Sequence, residues 1–255
     1  GAYQYFKIDV GGKTGILYGY KYGGRLIRTN EELVALKTIN PETGQQQYYR
    51  DENNYERPGD LYIMDLDGDG QITADGDRTE IGNANPDFFG GFGTTLYWKG
   101  LMVNATFTYS VGADRFYDEE KSSAGDMNVY NTSKNTLKSW TMNPGVDRGY
   151  PRAMYYGWGS NSIITNRYVH DASFLRLSAL NISYRLPKRL FGSSIVDAID
   201  LTFQATNLFT WTKYPGMDPQ GNFSTSYSAF YNMGIDYSSY PSARTYNVGI
   251  KITLK

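Results

Sequence analysis

The chain has 255 residues, and its 25 Lys and Arg balance 26 Asp and Glu, so the net charge of −1 gives no reason to expect nucleic acid as a partner. Cysteine is absent, which excludes disulfides and thiolate metal sites, and a catalytic triad would have to use His170, the single histidine. The 24 Tyr and 28 Gly favour β-strands and tight turns, so helices should be scarce. The sequence has no apolar run of about 18 residues, so no transmembrane helix is expected.

An acidic segment lies in the first third of the chain. Between positions 51 and 87 there are 11 Asp and Glu, while the bases are Arg57 and Arg78. Within this segment, DLDGDGQITADGD matches the first part of the calcium-loop pattern D-x-[DN]-x-[DN]-G. The pattern predicts carboxylate ligands from positions 1, 3 and 5, a sharp turn at Gly70 and a backbone carbonyl ligand from Gln71.

The same loop departs from the pattern at position 12, where Gly76 replaces the expected Glu, so closure of the ligand shell must come from Asp75 or Asp77. The candidate metal ligands are therefore Asp65, Asp67, Asp69, Gln71, Asp75 and Asp77. A flexible shell of oxygen ligands suits Ca²⁺, whose role would be to stiffen a loop. The alternative is a solvated acidic turn, in which Asp and Gly recur because they tolerate unusual backbone angles.

Residues 91–255 contain segments in which apolar and polar residues alternate, as in LMVNATFTYS. The alternation predicts strands at 92–98, 101–110, 168–186, 199–210 and 244–254. The clearest runs have about 9 to 11 residues, the length that a tilted strand needs to cross a bilayer. One face of each run carries Thr, Asn, Gln, Lys and Ser, which is typical of strands that line a wet lumen. The pattern favours an all-β fold, a segment of an antiparallel transmembrane β-barrel, although a soluble β-sandwich also alternates.

Connections of two kinds join the predicted strands. Lys99-Gly100 predicts a tight hairpin, whereas residues 110–168 and 210–244 are long, rich in Gly, Tyr, Asn and Ser, and lack clean periodicity. Outer-membrane barrels alternate short periplasmic turns with long extracellular loops in this way. Counting strands then predicts that residues 10–90 form a mostly extracellular loop. Within ASFLRLSALNISYRL the apolar phase shifts between Leu177 and Leu180, which predicts a bulge or a local bend.

Aromatic residues recur in two settings. Those at predicted strand ends form either the aromatic girdle of a membrane barrel or the caps of an aromatic-rich core: Tyr97, Trp98, Tyr109, Tyr184, Phe209, Trp211 and Tyr246. Those in the long connections could stack on sugars or pack against a partner, and self-packing of the loops is the alternative: Tyr155, Tyr156, Trp158, Tyr227, Tyr231 and Tyr240. For His170, ordinary polarity at a strand edge is a better interpretation than catalysis.

Several motifs, taken in order, resemble the C-terminal part of SusC/RagA-family TonB-dependent outer-membrane transporters of Bacteroidetes. They are ILYGYKYGG, RPGDLYIMDLDGDGQI, DRTEIGNANPDFFGGFGTTLYWKGLMVNATFTYSVGAD, ASFLRLSALNISYRLP and ATNLFTWTKYPGMDP. The resemblance implies strands of a barrel of about 22 strands, plugged by an upstream domain and lidded by a SusD-like surface lipoprotein. It further implies TonB-driven entry of glycan or peptide fragments across the outer membrane.

The chain also departs from the family pattern. An extra residue in the acidic loop moves the matching Asp77 to position 13, and the chain ends Leu254-Lys255, whereas the family's chains usually end in an aromatic residue. No plug domain and no TonB box are recognised, so the sequence is expected to be a fragment whose strands pair with the remainder of a barrel in outer-membrane lipid.

The leading functional prediction is therefore nutrient import, to which these residues contribute barrel strands and extracellular loops. The alternative is a secreted, calcium-stabilised β-sandwich that binds glycans or a cell-surface partner. An enzyme is not expected, because GGFGTT opens a strand and not a helix, as a phosphate loop would, and no carboxylate pair is spaced for acid–base chemistry.

Overall fold

The computed structural model describes residues 6–7, 9–36, 38–39, 46–47, 57–124, 134–141, 149–153, 163–190, 192, 195–221, 233–237 and 239–255. The chain forms two compact units. The first contains Gly1–Asn85, Asp114–His170 and Gly221–Ser239, and the second contains Pro86–Ala113, Asp171–Gln220 and Tyr240–Lys255.

The strands and helices, numbered in chain order over the described residues, are mostly short in the first unit and long in the second. The strands are β1 (Ile16–Tyr20), β2 (Tyr22–Leu26), β3 (Thr38–Ile39), β4 (Gln46–Gln47), β5 (Leu61–Ile63), β6 (Arg78–Asn83), β7 (Phe88–Trp98), β8 (Leu101–Val111), β9 (Asp114–Tyr117), β10 (Val169–Asp171), β11 (Phe174–Arg185), β12 (Val196–Thr212), β13 (Ile235–Asp236) and β14 (Thr245–Leu254). The α-helices are α1 (Asn30–Ala35) and α2 (Asp118–Ala124), and 3-10 helices cover Lys134–Lys138, Asn166–Tyr168 and Lys188–Leu190.

In the part of the chain that the structure describes, none of these helices is long and apolar enough to cross a membrane.

The second unit is built on one antiparallel sheet of five strands in the order β14-β12-β11-β8-β7. The predicted strands at 92–98, 101–110, 199–210 and 244–254 are confirmed, and all but the last extend beyond their predicted ends. These strands have 10 to 17 residues, so they are longer than the usual globular strand of about five or six.

Cross-strand pairing gives the sheet one continuous apolar face. A single row across all five strands consists of Leu96, Val103, Ile182, Phe203 and Val248, each directly opposite the next. On the same face, at one end of β12, the exposed fractions of Phe209 and Trp211 are 57% and 53%. A β-sandwich would bury this face in its core, whereas these side chains are exposed. The exposed apolar face therefore favours the barrel segment over the β-sandwich.

The neighbouring row of the sheet is polar. It consists of Thr95, Asn104, Asn181, Gln204 and Asn247. Asn104 Nδ2 donates to Thr95 Oγ1 at 2.8 Å, and Asn181 Nδ2 donates to Asn104 Oδ1 at 3.4 Å. The two faces therefore differ as lipid-facing and lumen-facing surfaces differ in a transmembrane barrel.

The register also assigns the aromatic residues at strand ends to faces. Tyr97 pairs with Met102 and so lies on the polar face, unlike its neighbour Trp98. The remaining aromatic residues of the predicted girdle share the apolar face: Trp98, Tyr109, Tyr184, Phe209, Trp211 and Tyr246. Because residues alternate between faces along a strand, Tyr97 and Trp98 cannot both face lipid.

Two local predictions in the sheet are confirmed. Lys99 and Gly100 have φ values of 46° and 86°, the positive pair that a two-residue type I′ hairpin requires. In β11 the register shifts between Leu177 and Ala179, so Ser178 is a bulge. Because of this extra residue, Leu177 and Leu180 lie on the same apolar face although they are three positions apart. On β12 the matching irregularity is at Asn207, whose φ is 52°.

The predicted continuous strand at 168–186 is wrong at one point. It is divided into β10 and β11, which belong to different sheets. Asp171 causes the break, because its Oδ1 accepts hydrogen bonds from both the backbone N–H and the hydroxyl of Ser173, at 2.8 and 2.5 Å. This local turn competes with extended strand pairing.

The first unit is more ordered than the loop expected for residues 10–90. Strand β1 pairs with β6 and β2 pairs with β5, while β9 lies between β10 and β13 in a third sheet. Buried side chains of these strands and of the segments between them form one hydrophobic core: Phe6, Leu17, Leu26, Leu61, Ile63, Ile72, Phe116, Tyr168 and Ile235. These pairings join residues far apart in sequence, which is why periodicity did not reveal them.

The remaining single-residue predictions concern His170 and the aromatic residues of the long connections. His170 lies in β10, and its Nε2 is 2.6 Å from Glu120 Oε2, so a polar contact with α2 accounts for it. Among the loop aromatics, Tyr240 is described and is 92% exposed. The others, Tyr155, Tyr156, Trp158, Tyr227 and Tyr231, lie outside the described residues.

Candidate functional site

The acidic loop connects β5 to β6, and the carboxylate of Asp65 organises its first turns. Asp65 Oδ1 accepts from the Gly68 N–H at 2.7 Å, and Oδ2 accepts from the Gly70 N–H at 2.8 Å. Gly68 and Gly70 have φ values of 79° and 82°, a region that glycine occupies without strain. The Asp-Gly repeat therefore wraps the backbone around one carboxylate.

Asp77 closes the loop from the other end. Its side chain is fully buried; Oδ1 accepts from the Leu66 N–H and Oδ2 from the Thr73 N–H, both at 2.7 Å. Thr73 in turn accepts, through Oγ1, a hydrogen bond from the Gly76 N–H at 3.0 Å. Because Asp77 ties residues 66 and 73 together, it fixes the width of the loop.

The loop brings three of the predicted ligands together. Asp65, Asp67 and Asp77 each offer a carboxylate oxygen, and these oxygens lie within 4.8 Å of one another. Asp69 and Asp75 lie outside this cluster, and Asp69 Oδ1 instead accepts from the Gln71 N–H at 2.7 Å. Of the two residues expected to close the shell, Asp77 is the one that the fold places beside Asp65 and Asp67.

The sequence did not reveal the role of Gly76, which stood out only as a departure at position 12. A Cβ at this position would overlap Asp67 Oδ2 and would lie 3.0 Å from Thr73 Oγ1. Glycine here makes room for the Asp67 carboxylate. The Asp77 that follows supplies the carboxylate that a Glu would otherwise bring, from one residue further along the chain.

The electrostatics of the cluster are unfavourable when no cation is bound. The hydrogen bond from the Asp69 N–H lowers the pKa of the Asp67 carboxyl, but desolvation and the negative charges of Asp69, Asp77 and Asp65 together outweigh it. The net result is a raised pKa for Asp67. Converging carboxylates that repel one another are the arrangement that a hard cation such as Ca²⁺ relieves.

Comparison with known proteins identifies curated relatives. TonB-dependent receptor P3 of Formosa agariphila is 33% identical over 199 residues, which is 76% of this chain and 19% of the relative. TonB-dependent receptor P26 of the same organism is 26% identical over 253 residues, or 97% of this chain and 23% of the relative. The chain thus spans about a fifth of the length of these receptors. No protein-family model matches it.

Solved structures agree with these relatives. The RagAB peptide importer in its closed-closed state is similar with a TM-score of 0.60 and 26% identity, over 94% of this chain and 23% of that chain. In its open-open state the TM-score is 0.57 with 25% identity, over 94% and 22%. The chain therefore belongs to the SusC/RagA-like family of TonB-dependent transporters of the bacterial outer membrane.

Proposed function

We propose that this chain supplies wall strands and extracellular loops to an importer that takes up glycan or peptide fragments with energy from TonB. The observation that carries the proposal is the five-stranded sheet with one continuous apolar face and one polar face, in a chain similar to RagAB over 94% of its length. Strands of 10 to 17 residues are long enough to span a bilayer.

The surroundings of this sheet are part of the proposal. Strands β7 and β14 are the sheet's edges within the described residues, and open edges in lipid leave backbone groups unsatisfied. They would pair with the remaining strands of a larger barrel that also holds a plug domain contacted by TonB. A SusD-like surface lipoprotein would cover the loops, in keeping with the two-component name of the RagAB relative.

A calcium ion in the acidic loop is a further component of the proposal. Asp65, Asp67 and Asp77 would hold it, and the ion would neutralise the repulsion that raises the pKa of Asp67. Residues 10–90 would then form a mostly extracellular, cation-stiffened body. The role of the ion would be to stiffen the loop that connects β5 to β6.

Uptake assays test the import function. One strain, the deleted cells, lacks the gene for the polypeptide that carries this sequence, and a second strain, the complemented cells, has the gene restored. Uptake of a labelled peptide pool and of a labelled oligosaccharide pool is measured in both strains. We expect one pool to enter complemented cells in a TonB-dependent manner and to be excluded from deleted cells. Equal uptake of both pools by deleted and complemented cells would contradict the proposal. The pool that responds identifies the substrate class.

Purification tests the partnership. The receptor would be extracted in detergent through a tag, and co-purifying proteins would be identified by mass spectrometry. We expect one lipid-modified surface protein in near-equal amount. Recovery of the receptor without any lipoprotein would contradict a permanent pair, while the uptake assay would still decide the import function.

A further inference from the structure

A cavity lies within the five-stranded unit, on the side of the sheet that the polar rows occupy. Its volume is about 420 Å³, and it lies beside the irregularity at Asn207. Bulges often re-aim side chains next to binding sites. The residues that matter for its chemistry are Arg176, Asn207, Thr210, Asp218, Ser242 and Arg244.

Arg176 anchors this cavity from the sheet. Its side chain is buried, and Nη2 donates to Asp218 Oδ1 at 2.5 Å, Nη1 to Gln220 Oε1 at 2.7 Å and Nε to Thr210 Oγ1 at 3.0 Å. Asp218 Oδ2 also accepts from the Ser242 N–H at 3.1 Å. The Arg176–Asp218 pair therefore joins the segments on both sides of the cavity to the polar face.

Arg244 gives the cavity a positive charge that the Arg176–Asp218 network does not neutralise. Asp218 neutralises Arg176, whereas Arg244 is exposed, lines the cavity and has no hydrogen-bond or ion-pair partner among the described residues. The cavity therefore carries a net positive charge from a guanidinium that can donate two parallel hydrogen bonds. Planar carboxylates match that fork.

Asn207 adds a second polar group to the same wall. Its Nδ2 donates to the Ala243 carbonyl at 3.0 Å, which holds the backbone next to Arg244 against β12. Thr210 of β12 adds a hydroxyl group that accepts from Arg176 Nε and can still donate to a ligand. A site with one cation unpaired among the described residues, an amide, a hydroxyl and apolar walls from Met217 and Pro219 fits a polar oligomer that bears a carboxylate.

We infer that this cavity is a subsite on the barrel wall that binds a carboxylate of the imported molecule through Arg244. The inference rests on the proposed import function and names the substrate chemistry, a carboxylate-bearing oligomer. Peptides and uronate-containing oligosaccharides are the two sources of that group.

The test uses the complete receptor polypeptide that carries this chain, purified in detergent as wild type, Arg244→Gln, Arg244→Lys and Lys213→Gln. Lys213 is a matched control, because it is an exposed cation of the same unit that lines a groove with Trp211. Each protein is incubated with a casein digest and with a partial pectin hydrolysate, before and after methyl esterification of the carboxylates. Retained molecules are quantified by mass spectrometry.

We expect the wild type to retain the free acids of one pool at least about tenfold over the esters, the range of a charge-assisted hydrogen-bond pair. Arg244→Gln should reduce that ratio below about threefold while ester retention stays at the wild-type level, so that a folding defect is not the cause. Arg244→Lys should give an intermediate ratio, and Lys213→Gln should match the wild type.

The outcomes separate this inference from the proposed function. If the wild type retains peptides or oligosaccharides without preferring acids over esters, or if Arg244→Gln keeps the preference, the inference is overturned and import stands. If the wild type retains neither pool in either form, import of these substrates is itself contradicted, and the subsite falls with it. The pool that shows the preference tells a peptide carboxylate from a uronate.

Discussion

Gly76 lies directly against the carboxylate of Asp67, and a Cβ at position 76 would overlap Asp67 Oδ2 and lie 2.9 Å from Asp67 Cγ. We predict that Gly76→Ala pushes Asp67 away from Asp65 and Asp77 and lowers the calcium affinity of the receptor by at least about tenfold, as expected for loss of one of few carboxylate ligands. Isothermal titration with CaCl₂ measures this. Ala74→Ser, at an exposed position two residues away, should leave the affinity unchanged. Wild-type affinity in Gly76→Ala would exclude Asp67 as a ligand.

Calcium binding should weaken on acidification because of Asp67. Its pKa is raised, so the folded loop without a cation holds the Asp67 proton more tightly than the unfolded chain does. Protonation of Asp67 therefore stabilises the folded loop relative to the unfolded chain. This stabilisation is fully present below the unfolded pKa of about 3.9 and is lost as the pH rises through the raised folded pKa. Protons and Ca²⁺ thus compete, and titrations at pH 4.5 and 7 should show tighter binding at pH 7. Asp67→Asn should show a smaller loss of affinity between pH 7 and pH 4.5 than the wild type, and a pH-independent wild type would contradict the account.

The Arg176–Asp218 pair should hold the cavity walls in place. Burial raises the pKa of Asp218, but hydrogen bonds from Gln220, Ser242 and Arg176 outweigh it and hold the pKa below its usual value. Ionised Asp218 therefore stabilises the folded state. This stabilisation is present above the unfolded pKa of about 3.9 and is lost as the pH falls through the folded pKa. At neutral pH, Asp218→Asn should cost about 3 to 5 kcal/mol, because it leaves the buried Arg176 without its counter-charge.

Hydrogen exchange of residues 213–221 and 239–244 measures this loss as faster exchange of their amides. The double variant Arg176→Leu with Asp218→Leu is the control, since it leaves no buried charge and should exchange more slowly than Asp218→Asn. If both variants keep wild-type protection, the ion pair does not hold these segments.

The hairpin between β7 and β8 gives a matched pair of variants. Gly100 has a φ of 86°, and its Cβ would lie 3.0 Å from the Arg185 carbonyl oxygen, so Gly100→Ala should destabilise the folded receptor by about 1 kcal/mol or more. Lys99→Asn should stabilise it by a few tenths of a kcal/mol, because Asn-Gly is the preferred type I′ pair. Urea unfolding in detergent measures both shifts, and the same sign for both would be inconsistent with this turn type.

Local patterns made much of the five-stranded sheet predictable. The alternation from Leu101 to Ser110, the turn at Lys99-Gly100 and the phase shift before Leu180 each depend on neighbouring residues, and each has its expected structure. The break at Asp171 was missed, because it arises from a side chain that bonds Ser173 and from a change of sheet, which strand periodicity does not report.

The first unit and the ligand set of the acidic loop were harder to predict. The pairing of β9 with β13 joins residues about 120 positions apart, and no periodic pattern marks a two-residue strand such as β13. In the loop, the spacing predicted Asp65, Asp67 and Asp69 alike, but Asp69 is drawn to the Gln71 N–H. The sequence did not single out Arg176, because its partner Asp218 lies 42 residues away.

The central claim is that one face of the sheet meets lipid and the other meets water. No cysteine occurs in these 255 residues, so cysteines placed singly at each position of β8 are the only ones in this segment. They are spin-labelled in the complete receptor, with any cysteine elsewhere in the polypeptide replaced by serine, and the receptor is reconstituted in a bilayer. Collision with oxygen, which concentrates in lipid, is compared with collision with a water-soluble nickel complex. The account predicts a two-residue alternation, in which Leu101, Val103, Ala105, Phe107 and Tyr109 collide with oxygen and the intervening residues do not. Protection of the apolar face from both reagents, or no alternation, would contradict it.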